Sequence, residues 1–223
     1  MISIIIPAYN EERIIKRVLD SFTYNDKLEV IVVDGGSSDK TVEFAKQYPI
    51  KLIQCIKNRA LQMNEGAKIS RGNVLLFLHA DCLIENGALR EIVCCIDNGY
   101  IGGCLSQRVD SPRLIYRFIE TSGNIRARLF KIFYGDQAIF VRRDIFLKIG
   151  GFDNVTLFED ALFSKELKKE GSLRVLDNNV FVSPRRWEKN GIMKTTFINW
   201  LLTLGFMLGM PLDILKRIYS DVR

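Results

Sequence analysis

The sequence predicts an α/β protein: a mostly parallel sheet flanked by helices, in a single domain that ends in C-terminal helices. In the first 81 residues, apolar runs of strand length alternate with segments of helical periodicity. These runs are continuous instead of alternating polar with apolar residues, which indicates strands covered on both faces. With 223 residues and 48% hydrophobic content, the chain is long enough for one sizeable core.

The first half of the chain predicts four strands and three helices. Strands are expected at 2–6, 30–33, 52–56 and 74–78. The helices between them are expected after Asn10, after Ser37 or Ser38, and at 58–70, with the named residues as N-caps. Strands joined by single helices form right-handed crossovers, so neighbouring strands in this half should run parallel.

The second half is less regular. Helices are expected at 87–97, from Pro112 to about Phe133 with Gly123 as a candidate break, at 143–149 and at 159–170. Strands are expected at 101–107, 137–141 and 173–182, the last interrupted near Asp177. The sequence shows no repeat, linker or low-complexity stretch that would mark a second domain.

Residues 195–212 form an uncharged stretch between Lys194 and Asp213. Its length is marginal for a membrane span, and its polar residues, its glycines and Pro211 argue against one. We therefore expect a helix packed on the core or on a second subunit. The alternative is a helix on a membrane surface, favoured by the cations Arg185, Arg186, Lys189 and Lys194. Either a dimer or a peripheral membrane contact would use residues 195–219.

The charge balance and the cysteines restrict the partners and the compartment. A formal net charge of +6 favours anionic ligands or surfaces. Nucleic acid is not expected as a partner, because the sequence has no dense run of basic residues with interleaved aromatics. Five cysteines without a CxxC pair are typical of a reducing compartment. Since the chain opens directly into a strand, without a basic leader, we expect a cytoplasmic protein, with the inner face of the membrane as the alternative.

Two aspartates, Asp34 and Asp81, follow predicted parallel strands. The carboxyl ends of such strands meet at the edge where open α/β sheets bind ligands. Two carboxylates would repel each other there unless a cation or a donor separated them, and hard oxygen ligands favour Mg²⁺ or Mn²⁺. His79, two residues before Asp81, is a further metal ligand, a phosphate contact or a hydrogen-bonded structural residue.

Two other segments have candidate site residues. The loop from Pro7 to Glu11 places Tyr9 at the same edge, where its ring either carries a nucleobase or closes the core. Further along, Glu159 and Asp160 open a predicted helix. By themselves these two acids are explained by the favourable interaction of acidic side chains with a helix N-terminus.

Four motifs occur in a distinctive order: ISIIIPAYNEE at 2–12, EVIVVDGGSSDKT at 29–41, VLLFLHADCLIENGAL at 74–89, and GGF at 150–152 followed by FED at 158–160. Through them, residues 1–190 resemble family-two glycosyltransferases of the GT-A fold, a Rossmann-like fold that binds nucleotide sugars. The chain also resembles a bacterial subgroup with HAD in place of the aspartate-x-aspartate motif and a stretch like NRALQMNEGAKISRG, at 58–72. The resemblance implies one domain over 1–223, with a nucleotide-sugar-binding half (1–106), an acceptor and catalytic half (107–190) and C-terminal helices (191–223).

The resemblance also implies site residues by position. Pro7, Ala8 and Tyr9 would hold the base with Glu11 nearby, Asp34 would contact the base or ribose, Arg59 the base or phosphates, and Asp81 a metal that bridges the diphosphate. Two positions depart from the family pattern. Gly35 stands where the family has a second acidic residue expected to contact the base, and His79 stands at the first acidic position of the metal motif. The expected donor is a nucleoside-diphosphate sugar, with UDP as the first candidate and Mn²⁺ or Mg²⁺ as the cofactor.

The chemistry implied by the resemblance is sugar transfer. Asp160 would act as general base on an acceptor hydroxyl, with Glu159 in support, and a single displacement would invert the anomeric carbon. The helix N-terminus is expected to keep Asp160 ionised. Arg186 and Trp187 would contact the diphosphate or the acceptor, with a plain core position as the alternative for Trp187. The acceptor, a glycan, a lipid or a small molecule, should bind between residues 101 and 134.

Two rival functions stay open at the level of sequence. A nucleotidyltransferase on a related fold would have a glycine-rich, lysine-containing phosphate loop after the first strand, and residues 7–13 have none. A non-catalytic sugar-nucleotide-binding or membrane-docked scaffold is favoured by the departures at Gly35 and His79. The glycosyltransferase and the non-catalytic scaffold differ in their response to Asp160→Asn, since only the enzyme would lose turnover while still binding the donor.

Overall fold

The computed structural model describes residues 1–155 and 157–220, and at its centre lies a mixed sheet of eight strands. The strands are β1 (Ile2–Ala8), β2 (Leu28–Asp34), β3 (Lys51–Gln54), β4 (Val74–Phe77), β5 (Cys82–Ile84), β6 (Gly102–Val109), β7 (Ile139–Arg142) and β8 (Leu173–Val182). Their order across the sheet is β3-β2-β1-β4-β7-β6-β8-β5.

Ten helices surround this sheet within the described ranges. They are α1 (Ile15–Asp20), α2 (Thr41–Ala45), α3 (Arg59–Ile69), α4 (Ala88–Asp97), α5 (Ile115–Phe130), α6 (Arg143–Ile149), α7 (Glu159–Glu170), α8 (Arg185–Asn190), α9 (Ile192–Met207) and α10 (Leu212–Ser220). A short 3-10 turn, Gly135–Gln137, precedes β7.

The first half of the sheet has the predicted parallel arrangement. β1 pairs in parallel with β2 and with β4, and β2 pairs in parallel with β3. β7 joins this half to the rest through antiparallel pairs with β4 and β6, while β6 and β8 run parallel. The sheet is therefore parallel on one side and mixed on the other, and the carboxyl ends of β1 and β4 lie side by side.

Apolar side chains pack on both faces of the sheet, as the continuous apolar runs predict. On one face, Ile4 and Leu76 pack in a cluster with α1, α4 and Tyr116 of α5. On the other face, Ile5 and Phe77 pack with α3, α6 and α7. This two-sided burial holds the ends of β1 and β4 in place, and these ends form one edge of the cavity described below.

The C-terminal helices pack through a third, smaller cluster. Leu202 and Phe206 of α9 and Leu215 of α10 meet Ile132 and Phe158. The expectation of a core-packed helix at 195–212 therefore holds for one face of α9, whereas its opposite face is exposed. Within the part of the chain that the structure describes, no helix is long and apolar enough to cross a membrane.

Two predicted helix caps are wrong. Asn10 has a left-handed backbone (φ 56°), and its side chain accepts a hydrogen bond from the Ser38 amide (2.9 Å) instead of capping α1. Its own amide donates to Ser37 Oγ (2.9 Å). In α2, Asp39 and not a serine accepts from the first-turn amide of Thr41 (3.0 Å). The loops after β1 and β2 thus cap each other, a long-range arrangement that a local capping pattern does not reveal.

The remaining differences from the sequence-based elements are local. The structure adds β5, a three-residue strand directly after Asp81. It pairs antiparallel with β8, which lies far away in the sequence. Helix α5 passes through Gly123 without a break. β8 is a single strand, but its pairing with β6 is irregular between Val175 and Asn179, around the predicted interruption.

Candidate active site

A large cavity lies at the edge where β1 and β4 end. Its volume is about 1110 Å³, and it extends from the loop after β1 to the space between α5 and α9. Eleven residues predicted from the sequence line it: Pro7, Ala8, Tyr9, Glu11, Arg59, His79, Asp81, Glu159, Asp160, Arg186 and Trp187. Two other predicted residues, Asp34 and Gly35, do not line it.

Asp34 is engaged with neighbouring residues of the chain. Its carboxylate is fully buried at the end of β2 and accepts hydrogen bonds from the Gly36 and Ser37 amides (2.9 and 3.0 Å). Gln54 donates a longer hydrogen bond to it (3.3 Å). These contacts fold the loop after β2 around the carboxylate.

Gln62 occupies the space that an acidic residue at position 35 would use. A Cβ atom on Gly35 would come within 3.2 Å of Gln62 Nε2. Gln62 is buried on α3 and donates from Nε2 to the carbonyl oxygens of Ala8 and Val33 (2.9 and 2.8 Å). Gln62 therefore ties β1 to β2, and it also lines the cavity. Sequence reasoning missed it; the available signal was a polar side chain on the buried face of a helix.

Tyr9 presents its ring to the cavity from the loop after β1. The Lys57 ammonium lies 3.7 Å from the centre of that ring, in a cation–π contact. A nucleobase stacked on this face of Tyr9 would have to replace Lys57. This part of the cavity thus pairs an aromatic ring with a cation.

Asp81 follows β4 and lies next to Arg185 at the start of α8. Arg185 Nη2 is 3.3 Å from Asp81 Oδ2 and 3.1 Å from Glu11 Oε2. Burial raises the pKa of Glu11, although the Arg185 guanidinium opposes this effect. A cationic group therefore separates two carboxylates at this edge, as their repulsion requires, but the pair is Glu11 and Asp81 instead of Asp34 and Asp81.

His79, Asp81 and Cys82 bring their potential metal-ligand atoms within 4.8 Å of one another. Burial and the nearby Arg59 lower the pKa of His79 to about 3, so its imidazole is neutral and able to bind a cation. Its Nε2 atom is buried without a hydrogen-bond partner. Burial raises the pKa of Cys82, which keeps the thiol protonated. Asp81 and His79 therefore suit a hard divalent cation better than Cys82 does.

Asp160 and Glu159 begin α7 on the other side of the cavity, and both are buried. Asp160 accepts hydrogen bonds from the Gly135 amide at Oδ2 (2.6 Å) and from the Ala161 amide at Oδ1 (2.7 Å). Glu159 Oε1 lies 3.2 Å from Arg59 Nη1. Each carboxylate is thus held in one orientation, Asp160 by backbone amides and Glu159 by a guanidinium.

The expectation that the helix N-terminus keeps Asp160 ionised is wrong. Burial raises its pKa to about 7, and the neighbouring Glu159 carboxylate adds to the effect. The Gly135 and Ala161 amides and Arg59 favour the charged form without compensating for burial. A carboxyl with this pKa is present in both protonation states near neutral pH, which suits a group that takes up a proton during a reaction.

Asp136, which sequence reasoning missed, completes this end of the cavity. It lies in the 3-10 turn before β7. Gln107 Nε2 donates to its Oδ2 (2.6 Å), whereas Oδ1 is buried without a partner. Burial raises the pKa of Asp136, and Arg126 opposes this effect. An unpartnered carboxylate oxygen beside a cavity is suited to accept a hydrogen bond from a ligand hydroxyl.

Arg186 and Trp187 line the cavity but are engaged with the protein. Arg186 donates a long hydrogen bond to Asn199 Oδ1 (3.4 Å), and its guanidinium lies 4.8 Å from the centre of the Tyr219 ring. Trp187 is almost completely buried and packs edge-on against Tyr116, with ring centres 5.9 Å apart. The core position given as the alternative for Trp187 is therefore favoured. Arg185, the preceding residue, is the one that reaches Asp81.

Comparison with solved structures places this architecture among the GT-A glycosyltransferases, as predicted. The mannosyltransferase PcManGT from Pyrobaculum calidifontis, in complex with GDP-Man and Mn²⁺, matches with a TM-score of 0.70 at 19% identity, over 99% of this chain and 68% of that one. S. aureus TarS 1–349, in complex with UDP-GlcNAc, matches with a TM-score of 0.66 at 19% identity, over 82% of this chain and 58% of that one. At these identities, the likeness establishes the fold.

Sequence comparison confirms the predicted family. The model of Glycosyl transferase family 2 matches residues 3–152, and the chain belongs to this family. It is 29% identical over 188 residues to the probable glycosyltransferase YdaM of Bacillus subtilis, covering 71% of this chain and 44% of that one. It is 33% identical over 172 residues to a PGL/p-HBAD biosynthesis glycosyltransferase of Mycobacterium tuberculosis, covering 69% of this chain and 63% of that one. The chain spans about half the length of the curated relatives that it matches.

Proposed function

We propose that this chain transfers a sugar from a nucleoside-diphosphate sugar to an acceptor hydroxyl, with inversion at the anomeric carbon. The observation that carries the proposal is a shared space: Tyr9, Asp81 and the buried Asp160 line one cavity of about 1110 Å³. A volume of this order accommodates a nucleotide sugar together with the reactive end of an acceptor. Membership of glycosyl transferase family 2 supports the same reaction class.

The nucleotide would lie along the loop after β1, with its base at Tyr9 and its diphosphate toward Asp81. Lys57, Arg59 and Arg185 line this part of the cavity and supply positive charge for phosphate oxygens. A bound diphosphate would compete with Glu11 and Asp81 for Arg185. UDP is the first candidate for the nucleotide and GDP the second, because the solved neighbours named above were determined with UDP-GlcNAc and GDP-Man.

A divalent cation, Mn²⁺ or Mg²⁺, fits beside Asp81. Asp81 offers a hard oxygen ligand and the neutral His79 a nitrogen, and such ions take many of their remaining ligands from phosphate and water. The protonated thiol of Cys82 does not fit this role. When bound, the cation would stabilise the negative charge on the leaving diphosphate.

Asp160 would accept the proton of the acceptor hydroxyl. The hydroxyl oxygen bonds to the anomeric carbon while the bond from that carbon to the diphosphate breaks, and attack opposite the leaving group inverts the centre. The Gly135 and Ala161 amides hold the Asp160 carboxylate in place for this step. Asp136, through its unpartnered Oδ1, would orient a hydroxyl of the donor sugar or the acceptor.

Calorimetric titration with UDP, GDP, CDP and dTDP, each with and without Mn²⁺, tests the donor site. We expect one nucleotide to bind more tightly than the others in a metal-dependent manner, and Asp81→Ala to remove the metal-dependent part. Asp97→Ala, at the exposed end of α4, is the matched control and should bind like the unchanged protein. Failure of all four nucleotides to bind would refute the donor site.

Release of nucleoside diphosphate from the donor tests the catalytic role of Asp160. Loss of a general base costs about 10²- to 10⁴-fold in turnover, and Asp160→Asn should keep donor binding. A non-catalytic scaffold would show no turnover to lose, and a nucleotidyltransferase would consume a nucleoside triphosphate and release pyrophosphate. Turnover of the variant at the unchanged rate would refute the assignment of Asp160.

A further inference from the structure

Two neighbouring helices carry stripes of exposed apolar side chains. On α5 and the residue before it, the stripe consists of Leu114, Phe118, Ile125 and Leu129. On α9 and the residue after it, the stripe consists of Met193, Phe197, Leu201, Leu204 and Leu208. Both sets follow the spacing of a single helix face. Phe118 and Phe197 are 71% and 66% exposed, which is far more than large apolar side chains usually are in a packed chain.

Trp200 links the two stripes. It lies on α9, is 52% exposed, and donates from Nε1 to Ser122 Oγ on α5 (3.2 Å). Ser122 and Trp200 also line the cavity, as does Gly123 on the same helix. The exposed apolar faces of α5 and α9 therefore flank the end of the cavity that lies away from the nucleotide edge. We refer to these stripes together with Trp200 as the α5–α9 face.

The positive charge of the chain is concentrated in the two segments that contain this face, where Arg126, Arg185, Arg186 and Lys189 line the cavity and the other cations lie outside it. Residues 113–131 contain five basic and one acidic side chain, and residues 185–220 contain six basic and two acidic ones. Their combined net charge of +8 exceeds the +6 of the whole chain. Arg113 and Lys194 are exposed directly beside Leu114 and Met193. Apolar side chains bordered by cations are complementary to a surface with negative headgroups above an apolar layer.

We propose that the α5–α9 face docks on the surface of an anionic lipid bilayer. The apolar stripes enter the boundary between headgroups and acyl chains, and the neighbouring cations contact the negative headgroups. Helices α5 and α9 lie on the surface, and the end of the cavity between them is brought close to it. A second copy of the chain would bury the apolar stripes equally well, but it would bring two strongly basic segments together, which the charge opposes.

Tryptophan emission tests the proposal without any substitution. The chain has two tryptophans, of which Trp187 is buried and Trp200 is half-exposed. Vesicles of phosphatidylcholine mixed with phosphatidylglycerol should shift the emission of Trp200 to shorter wavelength, and brominated acyl chains should quench it. The shift should disappear in Trp200→Phe. Absence of a shift and of co-sedimentation with these vesicles would overturn the proposal.

Charge-introducing variants locate the surface. Phe118→Glu and Phe197→Glu should each lower vesicle partitioning at least tenfold, because each removes an inserted ring and adds repulsion. Lys194→Glu should lower it at least fivefold. Leu147→Glu, at a half-exposed apolar position on α6, is the matched control and should leave partitioning unchanged. Circular dichroism and melting temperature confirm that each variant is folded.

Two further outcomes would also overturn the proposal. In the first, the protein binds equally well to vesicles of phosphatidylcholine alone, which would show that negative headgroups are not required. The second outcome is a dimer, detected by light scattering, that Phe118→Glu or Phe197→Glu dissociates while the unchanged protein ignores vesicles. That result would make the α5–α9 face a contact between two copies of the chain.

Discussion

Replacing Asp160 by asparagine should stabilise the folded protein at neutral and alkaline pH while removing the proposed general base. The pKa of the carboxyl is raised from an ordinary 3.8 to about 7, chiefly by burial. Because the folded state binds this proton more tightly than the unfolded chain does, the ionised carboxyl costs stability. The cost is absent below about pH 4, grows as the pH rises to about 7, and is constant above that value.

The magnitude follows from the two pKa values. The difference between 3.8 and about 7 corresponds to about 4 kcal/mol against the ionised carboxyl in the folded state. Asparagine has one acceptor oxygen where the carboxyl has two, so its NH2 group would face either the Gly135 or the Ala161 amide, and the lost hydrogen bond to that buried donor costs about 2 kcal/mol. The net gain in the free energy of unfolding at pH 8 is therefore about 2 kcal/mol, or roughly 4–8 °C in melting temperature for a chain of this size.

Thermal unfolding of both proteins between pH 4 and pH 9 measures this effect without any substrate. Near pH 4 the variant should be less stable than the unchanged protein by about 2 kcal/mol, and it should become the more stable of the two as the pH rises toward neutrality. Asp97→Asn, an exposed carboxylate at the end of α4, should show no such pH-dependent gain. If the melting temperatures of Asp160→Asn and the unchanged protein changed in parallel with pH, the raised pKa of the buried Asp160 carboxyl would be refuted.

Three further predictions concern the site and its loops. Gly135→Ala should lower the free energy of unfolding by about 1–3 kcal/mol, because its Cβ would lie 2.4 Å from His79 Nε2 and 3.4 Å from Asp160 Oδ2; an unchanged melting temperature would contradict this. Asn10→Ala should destabilise the protein by about 1–3 kcal/mol in urea unfolding, more than Asn10→Gly, because both lose the Ser38 hydrogen bond but only alanine has a Cβ that disfavours the left-handed backbone at φ 56°; equal losses would contradict the strain. Arg185→Gln should strengthen the binding of Mn²⁺ alone by freeing Asp81, yet weaken nucleoside diphosphate binding about tenfold; calorimetry showing that both weaken would make Arg185 a structural residue.

The parallel half of the fold is predictable because its determinants are local. Strands buried on both faces leave continuous apolar runs, and helix boundaries leave capping residues and glycines. Helix α3 illustrates this: it lies within the predicted range 58–70, and Asn58 caps it by accepting a hydrogen bond from the Leu61 amide (2.9 Å). Helices α6 and α7 begin and end at the predicted residues, next to Gly150 and Gly171. In each case the residues that determine a helix boundary lie within one helical turn of that boundary.

The residues that sequence reasoning missed are determined by contacts between distant segments. Asp136 becomes a cavity residue because Gln107, 29 positions earlier, holds its Oδ2. Arg185 reaches Asp81, 104 positions earlier, whereas Arg186 turns toward Asn199. Asp34 shows the converse, since its carboxylate accepts hydrogen bonds from the amides of Gly36 and Ser37 in its own loop. A motif gives the residue type and the strand end, but the direction of the side chain depends on partners that the motif does not contain.

The distribution of raised pKa values supports a ligand site at the cavity. Among the described residues, burial raises the pKa of four carboxyl groups, those of Glu11, Glu120, Asp136 and Asp160. All but Glu120 line the cavity. Each buried acid costs stability that a neutral side chain of the same size would not, so packing alone does not account for three of them around one space. A cation and the hydroxyl groups of a sugar and an acceptor would add partners to those that the chain gives these carboxyls, and the Oδ1 atom of Asp136 and the Nε2 atom of His79, both buried without a hydrogen-bond partner, are atoms that such groups could contact.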